Sequence, residues 1–111
     1  MELEKDLFGI CPYTTAQKVL SGKWSIIILY YLGKKTMRFG ELQRQLPDLT
    51  QSTLTKQLRA LEENGLIERK IYPQVPPKVE YSLSDIGIKF KKVLDELAIW
   101  GNEYIKTLKN C

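Results

Sequence analysis

From Thr50 to Asn64 the large apolar side chains fall at Leu54, Leu58 and Leu61. Steps of four and three residues are the period of an α-helix that lies on a core by one face. The opposite face carries Ser52, Lys56 and Arg59, with Thr55 beside them, and no acidic residue stands between Leu49 and Leu61. A chain holding this segment has to bury three leucines while offering solvent a ridge of hydroxyls and cations. The fold must therefore set a short helix on the rim of a core.

The neighbouring segments say what that core is made of. Thr14 to Leu20 reads as a first helix ending at Ser21-Gly22. Thr14 is a candidate N-cap, with Pro12 an alternative place for the first turn. Trp24 to Leu32 is apolar almost all round, which predicts a buried central helix that Gly33 stops. Arg38 to Leu46 is a short third helix with Phe39, Leu42 and Leu46 on one face and Pro47 closing it. A turn, Pro47-Asp48-Leu49-Thr50, leads into the leucine-striped helix, and Asn64-Gly65 fits its left-handed stop. Leu66 to Tyr72 and Val79 to Leu83 alternate as strands, and the proline-rich connection Pro73 to Lys78 makes a stiff hairpin tip.

Ser84-Asp85 then caps a long final helix. Ile86, Phe90, Val93, Leu97, Trp100 and Tyr104 recur every three or four residues, and Leu94, Ala98, Ile105 and Leu108 add a second stripe. Two apolar stripes on one terminal helix exceed what a small domain can cover, which predicts a helix-to-helix homodimer contact. Phe90, Val93, Leu94, Leu97, Trp100, Tyr104 and Leu108 are its candidate residues.

With 111 residues and 43% apolar side chains the chain makes one domain with a real core, not a disordered tail. No apolar run reaches the ~20 residues of a membrane span, and the acidic N-terminus does not resemble a secretory signal, so a cytoplasmic location is expected. The net charge of +4 favours polyanionic partners without singling out nucleic acid. Histidine is absent and cysteine occurs twice, so the sequence offers no zinc site, no catalytic residues and no sign of a bound cofactor.

A short helix, a turn, a second helix with a basic outer face and a proline-tipped hairpin, in that order, are the parts of a winged helix-turn-helix. The fold class is therefore α+β, mostly helical, with a two-stranded hairpin wing and a long C-terminal dimerisation helix. Residues 1–23 form an N-terminal arm and helix, 24–83 the winged-helix core, and 84–111 the dimerisation helix, all in one domain. In such a unit the first residues of the recognition helix reach base edges and the remainder approach phosphates. Gln51, Ser52, Thr53 and Thr55 can bond bases or phosphates, Lys56 and Arg59 can neutralise phosphates, and Arg59 can instead read guanine. Lys78 in the wing is a further candidate for phosphate or minor groove, against an ordinary surface lysine. Arg38 starts a helix, where its charge opposes the dipole, and suits either a phosphate contact or a salt bridge to Glu41.

Cys11 precedes Pro12 at a helix start, where partial positive charge favours the thiolate and makes a redox or electrophile sensor conceivable. A small buried hydrophobe is the alternative reading. Cys111 ends the chain at a place where it would be exposed.

Together Cys11-Pro12, Gly22-Lys23-Trp24, Arg38-Phe39, Leu54-Thr55, Leu58-Arg59, Leu61-Glu62, Gly65-Leu66, Tyr72-Pro73 and Val75-Pro76-Pro77-Lys78-Val79-Glu80-Tyr81 resemble the HxlR-type winged-helix transcriptional regulators, relatives of the MarR type. The resemblance implies a cytoplasmic homodimer on pseudo-palindromic double-stranded DNA. It also implies that Cys11 matches an N-terminal cysteine that some members use to sense oxidants or electrophiles, with Cys111 a candidate to bridge to it across the dimer. Gly40 stands where Ser or Asn is common, a departure that leaves the fold intact, and Ser52 stands where many relatives carry a basic or bulkier residue, so no operator sequence carries over. The competing reading is a winged-helix protein–protein module that does not bind DNA.

Overall fold

The computed structural model describes residues 7–110. Three helices and a small sheet surround one core. Helix α1 spans Pro12–Val19 and α2 spans Ser25–Lys34. Strand β1 is Met37–Arg38, α3 is Phe39–Gln45 and α4 is Gln51–Glu63. Strands β2 (Ile67–Tyr72) and β3 (Lys78–Leu83) precede α5 (Asp85–Lys89) and α6 (Lys91–Lys109). The fold is a winged helix, with α3 and α4 as the helix-turn-helix and β2–β3 as the wing.

The core is drawn from the stripes that the sequence marks. Ile28, Leu29 and Leu32 of α2 meet Leu42 and Leu46 around α3, Leu49 in the turn, Leu54, Leu58 and Leu61 of α4, and Leu66 and Ile67 of the sheet. The α4 leucines are sealed, with Leu58 at 1% exposure. Full burial of a leucine side chain is worth ~1.5–3 kcal/mol, so this cluster anchors α4 far more firmly than its polar contacts do.

Five features differ from the sequence expectations. Helix α1 begins at Pro12 with Cys11 as N-cap, because proline at the first helical position lacks only an N–H that would be unpaired anyway. Helix α2 runs through Gly33 to Lys34: a glycine stops a helix only where it turns left-handed, and Gly33 stays helical against Leu83 and Lys91. Nor is α2 buried all round, since Ile26 and Tyr30 face outward. The final helix is broken at Phe90 into α5 and α6, and the wing gains a third strand, β1, giving the antiparallel order β1-β3-β2.

The register of the sheet is Ile67 opposite Leu83, Arg69 opposite Tyr81, and Arg38 opposite Glu80. Gly65 takes φ +78, the left-handed stop for α4, and its carbonyl accepts from the Ser84 hydroxyl. Ser84 also caps α5 by accepting from the Gly87 N–H at 3.2 Å. A side chain at Gly87 would collide with the Leu66 carbonyl, so this close approach docks α5 on the end of the recognition unit. The radius of gyration is 16.1 Å, against about 13 Å for a compact domain of ~100 residues. None of the 19 residues of α6 is fully buried.

Candidate nucleic-acid interface

The turn between α3 and α4 is fixed from both sides. Leu49 donates its N–H to the Leu46 carbonyl at 3.1 Å, and the Gln43 side-chain amide donates to the Leu49 carbonyl at 2.8 Å. Thr50 is the N-cap of α4, its hydroxyl oxygen accepting from the Thr53 N–H at 3.1 Å. The same hydroxyl donates to Thr53 Oγ1 at 2.9 Å and lies 3.4 Å from Ser52 Oγ. Thr50, Ser52 and Thr53 therefore form one hydroxyl cluster at the positive end of the α4 dipole, a combination suited to an anionic oxygen.

Gln51, Ser52, Lys56 and Arg59 are exposed on the outer face of α4. Thr53 and Thr55 are half-buried, and the Thr55 hydroxyl donates back to the Gln51 carbonyl at 2.9 Å. That bond leaves Thr55 only its acceptor lone pairs for an outside donor. Neither Lys56 nor Arg59 has an ion-pair partner among the described residues, so both cations face solvent uncompensated. Beyond Arg59 the sign changes: Glu62 lies 3.5 Å from Arg69 of β2. Thr55, Arg59, Glu62, Arg69 and Tyr81 line an open groove of about 540 Å³ between α4 and the sheet. Burial pushes the Tyr81 phenol up.

The third helix answers the Arg38 question in a mixed way. Glu41 accepts from the Arg38 backbone N–H at 2.8 Å, not from its guanidinium, and pairs with Lys35 at 3.8 Å. That N–H, with help from the Lys35 charge, holds the Glu41 carboxyl below the usual carboxylate range. The Arg38 guanidinium forms no ion pair among the described residues and stays exposed.

The wing is more tightly tied than its sequence suggests. Lys78 lies 3.4 Å from Glu80 and 4.6 Å from the centre of the Tyr72 ring, while Lys70 sits 5.0 Å from that ring. Tyr72 donates its hydroxyl to Glu80 at 3.0 Å, and that bond, with the Lys78 pair, lowers the Glu80 carboxyl. The Lys78 charge is thus partly spent inside the protein. Sequence reasoning passed over Lys70 and Arg69, which expose cations on β2. A strand edge placed beside a basic helix is the signal that marks them.

Cys11 caps α1 and is half-buried. The Thr14 hydroxyl and then the Thr14 N–H lower its thiol, outweighing the upward push of desolvation. Cys111 lies outside the described residues. On α6, Val93, Leu97, Trp100, Tyr104 and Leu108 are exposed and are joined by Ile99 and Ile105. Phe90 and Leu94 turn instead to the chain's own core. Leu94, Leu97 and Ala98 also border an apolar hollow with Ile26, Ile27 and Tyr30, so the outer face of α2 continues the stripe on α6. No helix among the described residues is long and apolar enough to cross a membrane.

Comparison with known proteins gives this geometry relatives. A family model described as HxlR-like helix-turn-helix matches residues 19–109. The uncharacterized HTH-type transcriptional regulator YkvN of Bacillus subtilis (strain 168) is 45% identical over 94 residues, covering 85% of this chain and 80% of that protein. Among solved structures, the HTH-type transcriptional regulator ytcD superposes with a TM-score of 0.82 at 43% identity, over 87% of this chain and 99% of that one. The redox regulator HypR in its reduced form gives 0.85 at 38% identity, over 91% and 100%.

Proposed function

This chain belongs to the HxlR-like helix-turn-helix family of transcriptional regulators, and from that membership we propose that it acts as a homodimer on a pseudo-palindromic operator. Each α4 enters the major groove. Gln51 and Ser52 approach base edges, Lys56 neutralises a phosphate, and Arg59 meets a phosphate or a guanine. Thr53 and Thr55 support that edge with their remaining acceptor capacity. Arg38 and the wing, through Lys70 and Lys78, follow the flanking backbone. Such a protein works in the cytoplasm, where its DNA is.

One observation carries the reading: an uncompensated ridge of Gln51, Ser52, Lys56 and Arg59 on a helix whose inner leucines are sealed and whose N-terminus is capped. The burial fixes the helix and the exposure presents its polar face. The exposed side chains of α6 supply the second half of the proposal. Joining two chains through Val93, Leu97, Trp100, Tyr104 and Leu108 would bring two α4 helices to successive grooves about 34 Å apart.

We further propose that Cys11 makes the protein responsive to oxidants or electrophiles. Its place at a helix N-terminus and its lowered thiol support this, as does the likeness to a protein described as a redox regulator. A Cys11–Cys111 bridge between subunits is one form the response can take.

The test is a titration of selected duplexes at low salt, with and without diamide. Specific binding by a dimer, released by diamide in the wild type and retained in Cys11→Ser, is the expected result. Absence of any DNA affinity at low salt ends the DNA reading. Release by diamide that Cys11→Ser leaves unchanged ends the sensing reading alone.

A further inference from the structure

Gln57 stands in the leucine stripe of α4, between Leu54 and Leu61, at a place where an apolar residue would complete the inner face. Its Oε1 is buried and has no hydrogen-bond partner among the described residues. Hydrophobic contacts are non-directional and leave a helix free to rotate a little on its bed. A buried polar group has one good position, and removing its partner is costly, so it selects a single arrangement.

The seat of that oxygen lies in the Gly22-Lys23-Trp24 corner between α1 and α2. Gly22 does not adopt a left-handed φ, so turn geometry does not demand a glycine there. Space does. A Cβ at Gly22 would overlap Gln57 Oε1, and would stand 2.7 Å from Ser25 Oγ and 2.9 Å from Gln57 Cδ. The missing Cβ therefore leaves one gap that the Gln57 amide and the Ser25 hydroxyl both border. Ser25 is itself buried, at 3% exposure, in the first turn of the central helix α2.

Resting on the DNA reading above, we infer that Gln57 is a positioning residue for the recognition helix. Its amide oxygen has no partner among the described residues, and turning the Ser25 side chain into the gap at Gly22 brings its hydroxyl to that oxygen, a bond that fixes how α4 is rotated when it meets a duplex. Gln57 touches no DNA in this arrangement. It sets the aim of Gln51, Ser52 and Arg59, and Gly22 is small so that it can.

The test uses the full chain, a duplex selected by the wild-type protein from a random library, and poly(dI–dC) as the unspecific competitor. Gln57→Leu completes the apolar stripe and keeps the volume. It is expected to lower the ratio of specific to unspecific affinity about tenfold, with the melting temperature and the poly(dI–dC) affinity unchanged. Gly22→Ala is expected to do the same by displacing the amide. The pair Gly22→Ala with Gln57→Leu is expected to fall no further than either single change, because both remove one contact. Gln57→Leu with undiminished specificity, or losses at the two positions that add, overturns the inference while leaving DNA binding intact. A wild-type chain that selects no duplex overturns the DNA reading itself and this inference with it.

Discussion

Helices α4 and α6 are both amphipathic, yet only one of them is finished. The apolar stripe of α4 is covered within the chain, leaving a polar face outside. Beyond Phe90 and Leu94, the stripe of α6 lies largely open among the described residues: Trp100 is 65% exposed and stacks on its neighbour Tyr104. Equal amphipathy with unequal cover separates a helix that offers a surface from one that needs a surface. In α4 the polar face is what remains for function. In α6 the apolar face remains, and a second copy of the chain is the cover that the proposed homodimer supplies.

The largest effect should come from denying α6 its cover. Leu97→Asp combined with Trp100→Glu places two charges on the stripe, and light scattering should then report a monomer. Operator affinity should fall by at least about a hundredfold, since linked half-sites gain ~10²–10⁴ in avidity. A dimer that survives both charges would mean that α6 is covered by something other than its twin.

Next in size is a truncation on each helix. Leu58→Ala opens the sealed core under α4 and should cost ~2–5 kcal/mol in urea unfolding. Leu108→Ala, measured in the monomeric background, should cost no more than ~0.5 kcal/mol because its surface is already wet. Similar losses at the two sites would erase the contrast between a finished helix and an open one.

How far these regions could be read beforehand follows from where their determinants lie. Helix α4 was legible because its stripe and its stop Gly65 are local in sequence. The hairpin was legible because Pro73, Pro76 and Pro77 exclude a strand interior. Strand β1 was not, since two residues carry no alternation, and it exists only because β3 lies beside it. The break at Phe90 was not, because the residue that docks α5, Gly87, meets a carbonyl at Leu66 that sequence does not show to be near. Lys78 read as a free cation because its partners Tyr72 and Glu80 meet it only once the hairpin closes. In the candidate site, the outward residues of α4 follow from the helical period, while the seat of Gln57 depends on a glycine two helices away.

A smaller effect tests whether the finished helix offers what its exposure suggests. Lys56 has no internal ion pair to lose, so Lys56→Ala should leave folding and dimerisation unchanged. The slope of log affinity against log salt should fall by about one unit if a single phosphate contact is removed. The same change at Lys78 should move the slope less, because Glu80 already shares that charge at 3.4 Å. Equal slopes at both positions would mean that the wing cation is free in solution.

The smallest effect concerns α1, which bridges the two regions. Ala16, Val19 and Leu20 line an apolar hollow with Ile86, Phe90 and Val93, so α1 rests on the start of the open arm. Cys11 caps that helix, and the Thr14 hydroxyl and N–H lower its thiol from the ordinary 9.0. A depressed pKa means that the thiolate persists to lower pH than in the unfolded chain. Its contribution to stability is therefore present above the unfolded value and fades as pH falls through the folded one. Alkylation by iodoacetamide should accordingly show a midpoint below 9.0 in the native protein and a higher one in urea. Thr14→Val removes the largest favourable influence and should move the native midpoint upward while sparing the operator affinity of the reduced protein. If the midpoint stays put, the helix end and not Thr14 governs the thiol, and Cys11 owes its reactivity to backbone alone.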